Sequence, residues 1–189
     1  MKLRWIFLVF IISFNFSYAN KLEKFYKFLD ESPVVKLKIK FIQNQLGNNY
    51  ESNGDFYILG LEKYFYDSAD IEIHADSNYV MTKNYLNEQV IYNDLDLGQL
   101  NLFDILSGNK KHINFSVENH SLVKFIFSIP AMGYHGYFLF ESNSRFLKKI
   151  FLQIGLNQSI LINVAEIEAL EDYTPKINLE DFELIDLRG

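Results

Sequence analysis

The sequence predicts an α+β protein that is mainly β: a curled antiparallel sheet of about eleven strands, its apolar face covered by short helices. Three observations predict it. Apolar and polar residues alternate with period two in short runs along most of the chain. Gly, Asn, Asp and Ser separate those runs at intervals too short for crossover helices, so neighbouring strands run antiparallel. Helical periodicity is confined to two short stretches, which leaves the helices as covers rather than as a layer of their own.

The chain has 189 residues, of which 49% are hydrophobic and 22% charged, enough apolar material for a full core. Three Pro and nine Gly exclude a fibrous or low-complexity chain. With no Cys, a disulfide scaffold, a thiol nucleophile, a Cys-ligated zinc and an anchor through an N-terminal Cys are all excluded. The first nineteen residues read as a secretory signal. Lys2 and Arg4 precede an apolar run from Trp5 to Phe16, and Ser17-Tyr18-Ala19 supplies the small residues of a cleavage site after Ala19. A run of twelve residues, broken by Ser13 and Asn15, is too short to cross about 30 Å of hydrocarbon. Residues 20–189 are then one domain. Once Lys2 and Arg4 leave with the leader, 16 basic side chains face 24 acidic ones. That balance carries no footprint for nucleic acid and no polybasic patch for lipid, and no later segment suits stable membrane insertion.

The elements follow in order. Leu22, Phe25, Tyr26 and Leu29 fall at i, i+3, i+4 and i+7, which predicts an amphipathic helix over Lys21–Asp30, ended by Ser32-Pro33. In Val35–Phe41 the odd positions are apolar and the even ones Lys, the pattern of a strand with one wet face. After the Gly47-Asn48-Asn49 turn come Gly54–Leu59, Tyr64–Asp67, Ile71–Ala75, Tyr79–Thr82 and Glu88–Tyr92. Leu100, Phe103 and Leu106 share a helical face within Leu97–Gly108. Strands resume at Ile113–Val117, Leu122–Ile129, Tyr134–Phe140, Arg145–Gln153, Ser159–Ile167 and Phe182–Leu187. Val123, Phe125, Phe127 and Ile129 with Tyr134, Phe138 and Phe140 load one face with large apolar groups. A long sheet twists and curls, so this face becomes an aromatic-lined trough under a helical lid.

Catalytic chemistry is not prominent. His74, His112, His120 and His135 have no partner at metal-ligand spacing and read as turn or surface residues. There is no nucleophile elbow and no phosphate-binding glycine loop. The carboxylate pairs Glu166 with Glu168 and Glu180 with Asp181 read as solvated faces of an acidic protein. The residues point to a binding protein rather than an enzyme, with no cofactor and no metal.

The order of features resembles the LolA family of periplasmic lipoprotein carriers. Phe41-Ile42-Gln43 resembles an early F-x-Q strand end, and Gly54-Asp55-Phe56-Tyr57-Ile58 the strand that follows. Asp76, followed by Gln89-Val90, is similar to the stretch from an S-D-G turn to a Q-V pair. Phe103-Asp104-Ile105-Leu106-Ser107-Gly108 resembles the helical segment ending L-x-G, and Phe182-Glu183-Leu184 sits where the family has its last strand. The chain also departs from the pattern. The family's K-R-P and aromatic-R-W are replaced by Leu59-Gly60-Leu61-Glu62-Lys63-Tyr64-Phe65-Tyr66. Gly60 and Phe65 therefore stand where arginines are expected, Leu61 where a proline is, and Met81 where a tryptophan is.

The resemblance implies an open antiparallel half-barrel with a helical lid, in a protein that shields lipoprotein acyl chains between inner and outer membranes. It implies as partners acylated lipoproteins, an inner-membrane lipoprotein-releasing ABC transporter and a LolB-like outer-membrane acceptor. The residues expected to line the trough are Leu37, Ile39, Phe41, Phe56, Ile58, Tyr64, Tyr66, Ile71, Ile73, Phe125, Phe127, Phe138 and Phe140, with Leu100, Phe103 and Leu106 as lid. A wide apolar surface suits such cargo because hydrophobic burial is non-directional. A carrier of phospholipid or another apolar ligand on the same fold is the alternative, followed by an exported β-rich enzyme or glycan-binding protein. The absent arginines leave the control of the lid as the open question.

Overall fold

Among the described residues twelve strands form one continuous sheet in the order β12-β6-β5-β4-β3-β2-β1-β11-β10-β9-β8-β7, and no pairing joins β12 to β7. The computed structural model describes residues 21–60, 63–76, 78–94, 105–106, 113–116, 123–142 and 146–189. The expected leader, with its cleavage site, and the lid residues Leu100 and Phe103 lie outside that set.

Helix α1 spans residues 21–31, and its apolar stripe of Leu22, Phe25, Tyr26 and Leu29 is buried on the sheet. It ends where Ser32 donates its hydroxyl to the Phe28 carbonyl at 2.7 Å, one residue before Pro33. The Lys21 ammonium ties the other end of the helix to the carbonyls of Glu141 and Ser142. Strands β1 (Val34–Gln45) and β2 (Asn48–Ile58) make a long hairpin, and β3 (Tyr64–Ser68), β4 (Ile71–Ala75), β5 (Tyr79–Asn84) and β6 (Gln89–Asp94) continue it as a meander. The other wing is β7 (Asn114–Phe115), β8 (Lys124–Ile129), β9 (Tyr134–Phe140), β10 (Leu147–Gly155) and β11 (Gln158–Leu170). Pairing of β11 with β1 joins the wings, with an irregularity in register at Lys38/Ile39 that adds local twist.

The sheet has one strand more than the expected eleven, and its last pair is not antiparallel. After β11 the chain runs along residues 171–182 without regular structure and enters the edge as β12 (Glu183–Asp186), parallel to β6. The cause is the connection. A hairpin would return the chain beside β11, whereas this segment crosses to the far edge and arrives in the parallel sense.

Cross-strand partners share a face, so the registers sort every side chain. Leu37 opposes Phe56, and Phe56 opposes Tyr66, on the inner face that α1 covers. Lys36 opposes Tyr57, and Tyr57 opposes Phe65, on the outer face. The main core lies on the inner face. A second, smaller cluster of Val34, Tyr57 and Phe65 lies on the outer face, where Tyr173 from the crossing segment stacks on Tyr57 at 3.8 Å.

Candidate functional site: an apolar trough on the inner face

Period-two alternation aims one side chain in two inward, and the strand pairing lines these up across both wings. All thirteen expected lining residues fall in a single apolar cluster. Leu37, Ile39, Phe56, Ile58, Tyr64, Tyr66, Phe125, Phe127, Phe138 and Phe140 are buried within it, while Phe41, Ile71 and Ile73 are half-buried at its margin. Aromatic edges interlock along its floor: Phe127 meets Phe138 at 5.1 Å, Phe125 meets Phe140 at 5.5 Å, and Phe56 meets Tyr64 at 5.5 Å. Such pairs add about 0.5–1.5 kcal/mol each beyond their burial.

The cover comes from two separate segments. Phe25 of α1 meets the ring of Phe140 edge-on at 5.7 Å. Ile105 and Leu106, helical in the second expected segment, are both buried in the same cluster. Leu106 is therefore packed against the inner apolar face.

The trough carries little polarity. Ser52 and the Tyr66 hydroxyl hydrogen-bond each other at 2.9 Å, and burial raises the Tyr66 hydroxyl's pKa above its ordinary value. At Gly136 on the inner face a Cβ would run into the Phe151 carbonyl oxygen and lie 3.0 Å from the Phe127 ring, so close approach of the neighbouring strand's backbone admits only glycine. Such a surface excludes water and orients nothing by hydrogen bonding. Among the described residues no group of His, Asp and Glu is arranged to hold a metal, and no helix is long and apolar enough to cross a membrane.

Reading the sequence misses several inner-face residues. Leu147, Ile150, Leu152, Ile160 and Ile162 belong to the same cluster. Part of their signal was present, since Ile150, Leu152 and Ile154 alternate, but Leu147 is out of step because the register shifts between Leu147 and Lys149. The outer face holds more that was missed. Lys83 and Glu72 are both buried there, with Nζ and Oε2 3.9 Å apart. Lys83 donates to the Asn178 carbonyl at 2.6 Å and sits 4.4 Å from the Phe182 ring, both from the C-terminal part of the chain. A cleft of about 420 Å³ opens where the register shifts, lined by Lys38, Lys40, Asn53, Asp55, Asp67 and Asn163 among others. Of the expected lining residues only Ile39 reaches it.

The residues where the sequence departs from the LolA pattern are also placed. Gly60 has a φ of +126°, which favours glycine, and Leu61 lies outside the described residues. Phe65 and Met81 are buried on the outer face, away from the trough. Asp76 closes a turn by accepting from the N–H of Asn78 at 2.7 Å, and Gln89-Val90 opens β6.

An open sheet with one apolar face under helical cover defines a class of fold, and known structures share it. A LolA superfamily protein from Nitrosomonas europaea is similar at 10% identity over 83% of this chain and 94% of its own, with a TM-score of 0.50. An uncharacterized conserved protein from Thermus thermophilus is similar at 10% identity over 89% of this chain and 96% of its own, again with a TM-score of 0.50. No protein-family model matches the sequence, and no curated protein matches it. At this identity the likeness is one of fold, and the fold is a LolA-like open half-barrel.

Proposed function

We propose that this protein is a non-enzymatic carrier of the periplasm, exported by its leader, that shields lipoprotein acyl chains while they cross from the inner to the outer membrane. The observation that carries the reading is the collection of thirteen inward apolar side chains into one cluster under two helical segments. An acyl chain loses about 0.8 kcal/mol for each CH₂ it exposes to water, and a long dry surface offsets that cost without fixing the ligand's conformation. Phe25, Ile105 and Leu106 fill the trough's cover, so uptake requires α1 to lift and let the chain replace them.

In this reading an inner-membrane lipoprotein-releasing ABC transporter loads the trough and a LolB-like acceptor empties it. The family's arginines do not control the lid here, because Phe65 packs against Tyr173 on the outer face and Gly60 has no side chain. Release then depends on displacement of apolar contacts alone. A carrier of free phospholipid would use the same trough. The two are separated by adding the purified protein to spheroplasts: a lipoprotein carrier releases acylated lipoprotein into the supernatant, and recovery of phospholipid without lipoprotein would overturn that assignment.

A further inference from the structure

Three hairpin ends lie together at one end of the sheet. The β1–β2 turn is Leu46-Gly47, the β10–β11 turn is Leu156-Asn157, and the Leu46 N–H donates to the Asn157 carbonyl at 3.0 Å, tying the two tips side by side. Register carries the next turn to the same level. His135 opposes Gln153 and Tyr134 opposes Ile129, which sets Pro130-Ala131-Met132 beside the β10–β11 tip.

These ends are uncharged. Residues 41–50, 125–140 and 150–165 contain no Asp, Glu, Lys or Arg, in a chain of which 22% is charged. Leu46 is 72% exposed and Leu156 fully so. Leu46 also has a φ of +53°, followed by Gly47 at +85°. Both central residues of the turn are thus left-handed, a conformation that Asn or Gly adopts with less strain than Leu. An exposed leucine in a strained position is not explained by folding.

Behind the tips the core is only half closed. Phe41, Met132, Tyr134 and Ile154 pack against the trough's cluster yet remain partly exposed at this end. On the β8–β10 side the inner apolar surface therefore continues out toward Leu156, whereas the inward positions nearest Leu46 are Gln43 and Gln45.

We propose that this end is the trough's mouth and that Leu46 and Leu156, with the Pro130–Met132 turn, dock it on the surface of a lipid bilayer. The inference rests on the carrier reading and adds where the cargo passes. The absence of charge suits a zwitterionic surface and gives no handle for an acidic or basic peptide. The leucines are free to enter a fluid interface, and the cleft beside Leu46 is lined mainly by the amides of Gln43, Gln45, Asn48 and Asn49, which gives no apolar socket for a folded partner. Docking holds the mouth at the membrane surface, where the transporter loads it and the acceptor empties it, so that the acyl chain need not cross water.

The test is flotation of the purified protein with phosphatidylcholine vesicles, comparing wild type with Leu46→Asn/Leu156→Asn. Asparagine suits the left-handed position, so the variant keeps its fold, checked by circular dichroism. Binding of a fluorescent fatty acid in solution is measured alongside. The expected result is vesicle partitioning weakened on the order of tenfold or more in the variant, with fatty-acid binding unchanged. A wild type that stays out of the vesicle fraction overturns the docking surface, as does a variant that partitions like wild type. A wild type that floats but binds no fatty acid supports the docking surface and overturns the carrier reading.

Discussion

Asp67 shows how a single residue of the outer face responds to its neighbours. Burial and the adjacent Asp55 carboxylate raise its pKa above the ordinary carboxylate value, and Lys83 offsets only part of this. A carboxyl raised on folding contributes stability below its unfolded pKa, and that contribution is lost as pH rises through the folded value. At neutral pH the charge is therefore a liability. Asp67→Asn is expected to raise the thermal midpoint at pH 7, with the gain shrinking as pH falls through the carboxylate range; an unchanged difference across pH would contradict this cause. At the same scale, the apolar inner face was legible in the sequence. Phe125, Phe127, Phe138 and Phe140 announce themselves by alternation, and period two leaves them only one face to share. Asp67 was not legible, because its neighbour Asp55 arrives through β2–β3 pairing and nothing local in the sequence signals it.

Among the elements, the C-terminal segment does work that its composition conceals. Residues 171–182 lack regular structure, yet Tyr173 stacks on Tyr57, the Asn178 carbonyl accepts from Lys83, and Phe182 lies over the same ammonium. Beneath them Glu72 accepts from the Tyr85 hydroxyl at 2.8 Å, and burial together with Glu72 pushes the Tyr85 pKa up to about 12. Among the described residues Glu72 Oε1 has no hydrogen-bond partner, and Lys83 is the cation paired with this carboxylate. Removing one partner of a buried pair costs about 3–5 kcal/mol, whereas replacing both with apolar groups is often neutral. Lys83→Ala is expected to destabilise the protein on that scale in urea denaturation, and Glu72→Leu/Lys83→Met to recover most of the loss. Equal losses in both variants would mean that packing, rather than the stranded charge, sets the cost. The aromatic run Tyr64-Phe65-Tyr66 carried a hint of this second covered face, since a strand with one wet face does not place Phe65 outward. Helix α1 was fully legible, because four apolar residues at helical spacing before Ser32-Pro33 specify both its face and its end.

For the whole molecule, the antiparallel meander follows from short strands and short turns, and the LolA-like fold agrees with the resemblance that residue order suggested. The parallel edge strand was not legible. A strand of period two declares its faces but not its partner, and only the path of the crossing segment sends β12 to β6. The trough's contents are likewise a property of the whole, since residues from both wings and from two covering segments fill it together. The central claim is that this filling gives way to a lipoprotein's acyl chains. Native mass spectrometry of protein purified without detergent from a bacterial periplasm tests it most directly. The account predicts an adduct with the mass of an acylated lipoprotein or acylated peptide, lost on Phe41→Asp. Protein that carries no acylated adduct, from cells whose lipoproteins are processed normally, would contradict it.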